Sequence, residues 1–201
     1  HDGLTGENVI LSKGSIHYLT NEEIANNHEY LSERLNKEKE YITLILGGPN
    51  KYYDYNDLNL IKIFDRVKGI LEQNNLQAII IPSMRTPKKI IELSDNIFGK
   101  DHLVVNDIDK KAYLSGLSLA KYIVVTCDST SMISEAALTG KPIYIAEIPA
   151  KINDYRFRKF RELFSKLNIV KSLDEKVEIW NYEILDETNR IAKEIKRKIF
   201  K

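Results

Sequence analysis

Two patterns of apolar and polar positions alternate along the chain from residue 41 onward. Five runs rich in β-branched and apolar residues show little polar alternation, which is typical of strands covered on both faces. Each run is followed by a stretch with the periodicity of a helix. The predicted strands are residues 41–46, 78–82, 103–106, 122–126 and 142–146, and the predicted helices are residues 58–73, 87–97, 110–120, 131–139 and 155–167. This alternation predicts an α/β fold, a Rossmann-like doubly wound parallel sheet with right-handed crossovers.

The first forty residues follow a different pattern. Two short extended pieces, residues 8–11 and 15–19, are separated by the turn signal Lys13-Gly14 and are expected to lie outside the sheet. Thr20 and Glu23 form a capping box that predicts one helix to about residue 36. We interpret residues 1–40 as the remainder of a preceding domain plus a connecting helix, and residues 41–201 as one Rossmann-like domain with a carboxyl-terminal helix. Because the chain opens without an initiator Met, we expect it to be the later part of a longer polypeptide.

Composition and charge exclude several classes of protein. The 201 residues are 43% hydrophobic and 29% charged, which is ordinary for a globular chain. Thirty Lys and Arg balance twenty-nine Asp and Glu, so no overall positive field favours nucleic acid. The single cysteine, Cys127, excludes an intrachain disulfide, and the four scattered His show no zinc-site spacing, so we expect no metal and a reducing compartment, the cytoplasm. No apolar run approaches the roughly 18 residues of a membrane span.

Two loops that follow predicted strands carry residues suited to an anionic ligand. Gly47 and Gly48 come directly after the first strand, where glycines let a ligand approach the backbone or simply form a tight turn. Ser83, Arg85 and Thr86 follow the second strand and offer a guanidinium and two hydroxyls to phosphate, although an Arg at the rim of a sheet is also common. Because GxGxxG and GxxxxGK[ST] are absent, a dinucleotide fold or a phosphate-loop ATPase is not indicated.

A third loop, after the strand at residues 122–126, opens a helix with hydroxyl groups. Ser129, Thr130 and Ser131 lie where helix N–H groups lack intrahelical partners, a place suited to phosphate. Glu135 follows in the same helix, where it either complements the helix dipole or accepts hydrogen bonds from ribose hydroxyls. The alternative is an ordinary capped connection of any doubly wound protein. Since the carboxyl ends of parallel strands share one edge, we expect all three loops to form a single pyrophosphate pocket.

Five segments of the chain together resemble a known family. They are HDGLTGENVILSKGSIHYLT, LILGGPNKYY, IIPSMRTP, VVTCDSTSMISEAALTGKPIYI and WNYEILDETNRIAKEI. They resemble the plant mitochondrial fission proteins named for elongated mitochondria, and more closely their bacterial relatives. The resemblance implies a glycosyltransferase-B-like architecture of two Rossmann-like halves, in which the carboxyl-terminal half holds a nucleotide sugar. The chain resembles that half.

The resemblance also implies roles for the candidate residues. It assigns close approach to the ligand to Gly47 and Gly48, diphosphate contacts to Ser83, Arg85 and Thr86, a second phosphate cradle to Ser129, Thr130 and Ser131, and the donor ribose to Glu135. Met84 departs from the family pattern, which has a second Arg at that position. The catalytic candidates are His1 and Asp2, which lie in the block expected to face the cleft between the halves.

Three functions remain open from the sequence. The first is a glycosyltransferase-like protein that binds a nucleoside-diphosphate sugar as substrate, with no tightly bound cofactor and with the missing amino-terminal half as its partner. The second is a non-catalytic scaffold of the mitochondrial fission type, and the third is a nucleoside-diphosphate-sugar epimerase. From Asp186 a basic amphipathic helix follows, with Ile191, Ile195 and Ile199 on one face. Such a helix either packs on its own domain or makes peripheral contact with the inner membrane.

Overall fold

The centre of the molecule is a parallel sheet of six strands. A computed structural model describes residues 4–199. The strands are β1 (Glu40–Leu46), β2 (Leu76–Pro82), β3 (Leu103–Val104), β4 (Tyr122–Thr126), β5 (Ile143–Ala146) and β6 (Val170–Ser172). Their spatial order is β3-β2-β1-β4-β5-β6, and every adjacent pair is parallel. The predicted Rossmann-like α/β class is therefore confirmed.

Eight helices of the described chain cover this sheet or lie at its ends. They are α1 (Asn21–Asn26), α2 (Glu29–Ser32), α3 (Asp57–Asn74), α4 (Lys88–Phe98), α5 (Lys110–Leu119), α6 (Thr130–Ala137), α7 (Tyr155–Lys166) and α8 (Glu187–Ile199). The strands carry almost only buried side chains on both faces, which explains their continuous apolar runs. The five predicted strands and the five predicted helices after residue 41 are all present, with ends shifted by at most two residues.

Strand β6 was missed by the sequence prediction. It has only three residues, Val170–Ser172, and pairs with β5 at the edge of the sheet. Burial falls from Val170, which is buried, to Ser172, which is exposed, so these three residues show no alternation that would distinguish a strand from a loop.

The prediction of one helix from Thr20 to about residue 36 is wrong. The chain forms α1, turns at Asn27 and His28, and resumes as α2. Ser115 on α5 supplies the hydrogen bonds that stabilise this break, because its hydroxyl donates to the carbonyl of His28 (3.0 Å) and accepts from the N–H of Leu31 (3.1 Å). A contact with a distant helix thus replaces backbone bonds of a continuous helix.

Residues before the predicted boundary at residue 40 contribute to the core. Leu31 and Leu35 pack with Ile79, Ile81 and Leu103 on one face of the sheet. The division into residues 1–40 and 41–201 stays a prediction, and in the structure the two parts share buried contacts. The predicted extended pieces, residues 8–11 and 15–19, lie outside the sheet.

The site is positioned by the order of the strands. The chain reverses its direction of progress across the sheet between β1 and β4, which are neighbours. The loops after these two strands leave toward opposite sides, and they open a crevice at the carboxyl edge where open α/β sheets bind their ligands.

Candidate functional site

The loops after β1 and β4 are joined by hydrogen bonds at the switch point. The N–H of Gly47 donates to Oγ1 of Thr126 (2.8 Å), and the N–H of Gly48 donates to Oδ2 of Asp128 (3.1 Å). The Asp128 side chain is fully buried, and its other oxygen accepts from the hydroxyl of Tyr55 (2.6 Å). Asp128 is therefore the acceptor around which the two loops are organised.

Arg85 connects the loop after β2 to the same carboxylate. Its Nη2 lies 2.9 Å from Oδ2 of Asp128, and its Nη1 donates to the carbonyl of Gly48 (2.8 Å). The Arg85 side chain is 42% exposed, so its guanidinium contacts both the buried acid and the solvent. The structure thus brings together all three loops singled out in the sequence.

The two glycines are required by the protein's own packing. A Cβ atom on Gly47 would lie 2.2 Å from Oδ2 of Asp128, and one on Gly48 would lie 2.0 Å from the carbonyl oxygen of Arg85. Neither position has room for any other residue without movement of a buried group. Close approach of a ligand to these glycines stays a prediction.

The hydroxyls of the second loop form bonds within that loop. Thr86 is buried; its Oγ1 lies 2.9 Å from the carbonyl oxygen of Leu46 and 2.5 Å from that of Gly47, and it accepts from the N–H of Ser83 (2.8 Å). Ser83 Oγ lies 3.2 Å from the same hydroxyl. Met84 points outward and is 87% exposed. The predicted diphosphate contacts of Ser83 and Thr86 stay predictions, and in this structure both groups hold the turn.

The third loop provides the start of α6. Ser129 is the N-cap, and its side chain accepts from the N–H of Met132 (3.4 Å). Thr130 accepts a hydrogen bond from Ser15 of the amino-terminal segment (Oγ to Oγ1, 3.3 Å), while Ser131 is exposed. The first turn of α6 therefore lies at the crevice. The Ser129 cap uses the N–H of Met132, and the other N–H groups of this turn, which lack intrahelical partners, are the ones suited to an anion.

Glu135 lies one turn further along α6 and is partly buried. The hydroxyl of Tyr113, on α5, donates to its Oε2 (2.6 Å). Burial raises the pKa of the Glu135 carboxyl, and the Tyr113 hydrogen bond and the nearby His17 oppose that rise. A carboxylate has capacity for further hydrogen bonds beyond the one from Tyr113, so Glu135 can accept from a ligand hydroxyl.

A cleft of about 380 Å³ adjoins the start of α6. It is lined by Thr130 and by residues of three other segments, which are Ser12, Gly14, Ser15, Tyr52, Arg156, Phe157 and Phe160. The sequence analysis did not predict that these residues line a cleft. It did predict an extended piece at residues 15–19, but no local pattern indicated that this piece lies against α6.

A larger cleft, about 540 Å³, lies beyond the carboxyl ends of β5 and β6. Its most buried cation, Arg161, is paired with Glu147 (3.1 Å) and Asp154 (3.3 Å) and also contacts the Tyr53 hydroxyl (3.0 Å). Because these bonds satisfy Arg161 within the protein, we regard the cleft at α6 as the candidate site.

Other residues singled out in the sequence fall outside this site. His1 and Asp2 lie outside the described residues, so their catalytic role stays a prediction.

Burial raises the pKa of the Cys127 thiol to about 12, and its Sγ accepts from the N–H of Ile148 (3.2 Å). Cys127 is thus a neutral packing residue. Within residues 4–199, no three His, Cys, Asp or Glu side chains come together as a metal site.

The strand order, the loops at the switch point and the helix that starts there define a Rossmann-like α/β domain with a doubly wound parallel sheet. The family model of Mitochondrial fission ELM1 matches residues 1–199. The chain belongs to the Mitochondrial fission ELM1 family.

Two curated relatives support this membership. The chain is 30% identical over 165 residues to the uncharacterized protein RP120 of Rickettsia prowazekii, a match that covers 79% of this chain and 46% of the relative. It is 24% identical over 199 residues to the Mitochondrial fission protein ELM1 of Arabidopsis thaliana, which covers 96% of this chain and 46% of that protein. The chain spans about half the length of these relatives.

Two solved structures share the fold of this chain. The crystal structure of a candidate UDP-N-acetylglucosamine 2-epimerase from Listeria monocytogenes has a TM-score of 0.54 at 15% identity, covering 94% of this chain and 50% of that one. The structure of MnaA from S. aureus with UDP has a TM-score of 0.51 at 15% identity, covering 89% and 40%. Identities this low establish the fold alone.

Across residues 4–199, every helix is too short or too polar to span a lipid bilayer.

Proposed function

We propose that this chain is the nucleotide-binding half of a glycosyltransferase-like protein and that it holds a nucleoside-diphosphate sugar in the crevice at the start of α6. The observation that carries this proposal is the joining of the loops after β1, β2 and β4 at the switch point of the sheet. Arg85 pairs there with Asp128, and Ser129 caps the start of α6, the helix that also carries the partly buried carboxylate of Glu135. Phosphate binds well at such a helix start, and a partly buried carboxylate suits the ribose.

The diphosphate has two sources of stabilisation in this arrangement. Arg85 has five N–H donors, and the bonds to Asp128 and Gly48 use only part of them. The first turn of α6 adds backbone N–H groups and the positive end of the helix dipole. If the half takes part in transfer, these groups stabilise the charge of the leaving diphosphate, while the acceptor's general base is expected from the amino-terminal half.

UDP is the first nucleotide to test. It is named in the structure of MnaA from S. aureus, which shares the fold. The structure from Listeria monocytogenes, a candidate UDP-N-acetylglucosamine 2-epimerase, also supports a nucleoside-diphosphate-sugar epimerase as an alternative activity for the complete polypeptide. In both cases the nucleotide would lie in the same crevice.

A second candidate function is a non-catalytic scaffold of the fission type. It is favoured by the hydrogen bonds that the loops make to each other, because Arg85 already pairs with Asp128 and Thr86 already bonds to Leu46 and Gly47.

A related candidate is peripheral membrane contact from the cytoplasm through α8, which leaves Ile195 and Ile199 exposed among several cations. Co-sedimentation with anionic vesicles, before and after substitution of both isoleucines by Ser, tests that contact.

The deciding experiment is a titration of the purified chain with UDP, GDP, CDP, ADP and dTDP, followed by thermal unfolding and calorimetry. One nucleotide should stabilise the chain in proportion to its concentration. Glu135→Gln keeps the shape of the side chain and should weaken the binding of that nucleotide by about tenfold, or about 1.4 kcal/mol.

Glu147→Gln is the matched control, since Glu147 pairs with Arg161 at the other cleft and should not affect nucleotide affinity. Identical melting with all five nucleotides at millimolar concentration would overturn the proposal.

A further inference from the structure

The cleft next to the start of α6 has an aromatic wall. Tyr52 and Phe157 both line it, both are half-buried, and their ring centroids lie 5.1 Å apart with an angle of 58° between the ring planes. Phe160, further along α7, is buried and also lines the cleft. Half-buried rings that line a cleft offer apolar area to a ligand.

Contacts within the protein hold both rings of this wall. The N–H of Tyr52 donates to Oδ1 of Asn50 (2.7 Å), and Nδ2 of Asn50 donates to the carbonyl of Asp128 (3.3 Å), so Tyr52 is tied to the loop after β4. Phe157 makes an edge contact with the fully buried ring of Tyr53, at 5.5 Å between centroids and 89° between planes. The wall is therefore built from the same loops that form the switch point.

Hydroxyl groups line the same cleft. Ser12 and Ser15 belong to the amino-terminal segment and Thr130 to the first turn of α6, and the hydroxyl oxygens of Ser15 and Thr130 lie 3.3 Å apart. Sites for small molecules combine aromatic lining with a few polar groups, usually in volumes of about 300–1,000 Å³. This cleft of about 380 Å³ therefore suits a sugar ring, which has apolar C–H faces and a rim of hydroxyls.

The cleft and Glu135 lie on different sides of α6. Glu135 accepts a hydrogen bond from Tyr113 of α5 (2.6 Å), whereas the cleft is lined by Thr130 together with residues of α7. At about 100° per residue, Thr130 and Glu135 lie about 140° apart around the helix axis. A diphosphate at the helix start would lie between them. A nucleoside whose ribose meets Glu135 thus leaves the cleft to the group carried by the second phosphate.

We propose that this cleft is the glycosyl subsite and that Tyr52 and Phe157 hold the sugar ring of the nucleotide sugar. This inference rests on the proposed function. The electron-rich face of an aromatic ring attracts the C–H groups of a sugar, and the hydroxyls of Ser12, Ser15 and Thr130 can bond to those of the sugar. The ligand class is then a nucleoside diphosphate that carries a pyranose ring.

The test measures the ratio of the affinity for a nucleotide sugar to the affinity for the bare nucleotide. The ligands are UDP, UDP-glucose and UDP-N-acetylglucosamine, and calorimetry on the whole chain gives their dissociation constants. If another nucleotide of the panel binds best, that nucleotide and its glucose conjugate are used instead.

Tyr52→Leu and Phe157→Leu keep an apolar side chain but remove an aromatic face. Each variant should lower the ratio by about fivefold for the nucleotide sugar that the wild type binds more tightly, which is the size expected for one aromatic contact. The affinity for UDP itself should stay within about twofold of the wild type, which also shows that the variant is folded.

Two further variants serve as controls. Tyr52→Phe keeps the ring and should retain the wild-type ratio. Tyr155→Leu removes an exposed ring at the start of α7 that contacts Lys159, with Nζ 5.0 Å from the ring centroid, and that lies outside the lining of the cleft. Its ratio should also match the wild type.

Two results would overturn the glycosyl subsite while the proposed function stands. One is a wild-type ratio in both Tyr52→Leu and Phe157→Leu, which would make the two rings packing residues only. The other is an equal weakening of UDP and of the UDP-sugars, which would place the rings at the nucleotide and not at the sugar. A wild type that binds none of the nucleotides of the panel would overturn both proposals.

Discussion

Nη2 of Arg85 lies 2.9 Å from Oδ2 of Asp128, and this ion pair joins the loop after β2 to the loop after β4 across the loop after β1. Asp128 is completely buried while Arg85 is 42% exposed. The pair therefore has two consequences, because it neutralises a charge inside the protein and leaves guanidinium donors at the surface of the crevice.

Arg85→Ala should destabilise the fold. It leaves the Asp128 carboxylate buried without its cation, although Tyr55 and Gly48 still donate to it. We expect a loss of about 1–3 kcal/mol, less than for a fully buried pair because Arg85 is partly solvated. Urea unfolding measures this loss.

The control for Arg85 is Lys89→Ala, which removes an ion pair with Asp57 at 3.1 Å in which both side chains are 60% exposed. That variant should change stability by less than about 0.5 kcal/mol. Equal losses in the two variants would show that the pair with Asp128 has no special importance.

Gly47→Ala should also destabilise the protein, by about 1–3 kcal/mol, because the new methyl group would displace the Asp128 carboxylate. Gly69→Ala provides a control of opposite sign, since Gly69 lies in α3 with no atom within 4 Å of the added Cβ. It should stabilise by about 0.5–1 kcal/mol. Thermal unfolding measures the change in stability of both variants, which should be a loss for Gly47→Ala and a gain for Gly69→Ala. A Gly47→Ala variant with unchanged stability would contradict the structure.

Ser115→Ala tests the break between α1 and α2. It removes the partner of the Leu31 N–H and of the His28 carbonyl, so we expect a loss of about 1–3 kcal/mol. Hydrogen exchange of the Leu31 amide should accelerate at the same time. Ser118→Ala removes only a bond to the exposed His28 ring and should change stability by less than about 0.5 kcal/mol.

Glu187→Gln should reduce stability in a pH-dependent way. Burial alone would raise the pKa of this carboxyl, but the bonds from Arg190 and from the Lys13 N–H lower it below 4.5. The stabilisation by the ionised Glu187 is then complete above pH 4.5 and is lost as the pH falls through the folded-state pKa. We expect a difference of about 1.5–3 kcal/mol at pH 7 that shrinks toward pH 3.

Urea titrations of the wild type and Glu187→Gln at pH 7 and pH 3 measure that difference. Glu183→Gln changes an exposed carboxyl nearby and should stay within about 0.5 kcal/mol of the wild type at pH 7. A Glu187→Gln difference that is the same at both pH values would contradict the assigned role.

The parts of the fold that the sequence predicted depend on local patterns. Continuous apolar runs identified β1 through β5, since a strand buried on both faces has no polar side. The alternation of strands and helices indicated parallel strands, and parallel strands have all their carboxyl ends at one edge of the sheet. The convergence of the loops at Gly47, Arg85 and Asp128 could be anticipated for that reason.

The parts that the sequence did not predict depend on distant partners. The break at His28 needs Ser115, which is 87 residues away along the chain. The path of the amino-terminal segment needs Thr188, which is 171 residues from His17. No periodicity within a window of ten or twenty residues contains such information, and a three-residue edge strand such as β6 is too short to show one.

By itself the sequence determined the Rossmann-like class and the edge at which polar loops gather, because both follow from the burial of the strands and from the parallel direction that βα alternation imposes on them. Only the tertiary structure decided which partner each polar group takes. Arg85 pairs with Asp128, Thr86 bonds to the carbonyl of Leu46, and the N–H of His17 donates to Oγ1 of Thr188. Hydrogen bonds depend on distances and angles between groups far apart in the chain, and packing of the whole core sets those distances.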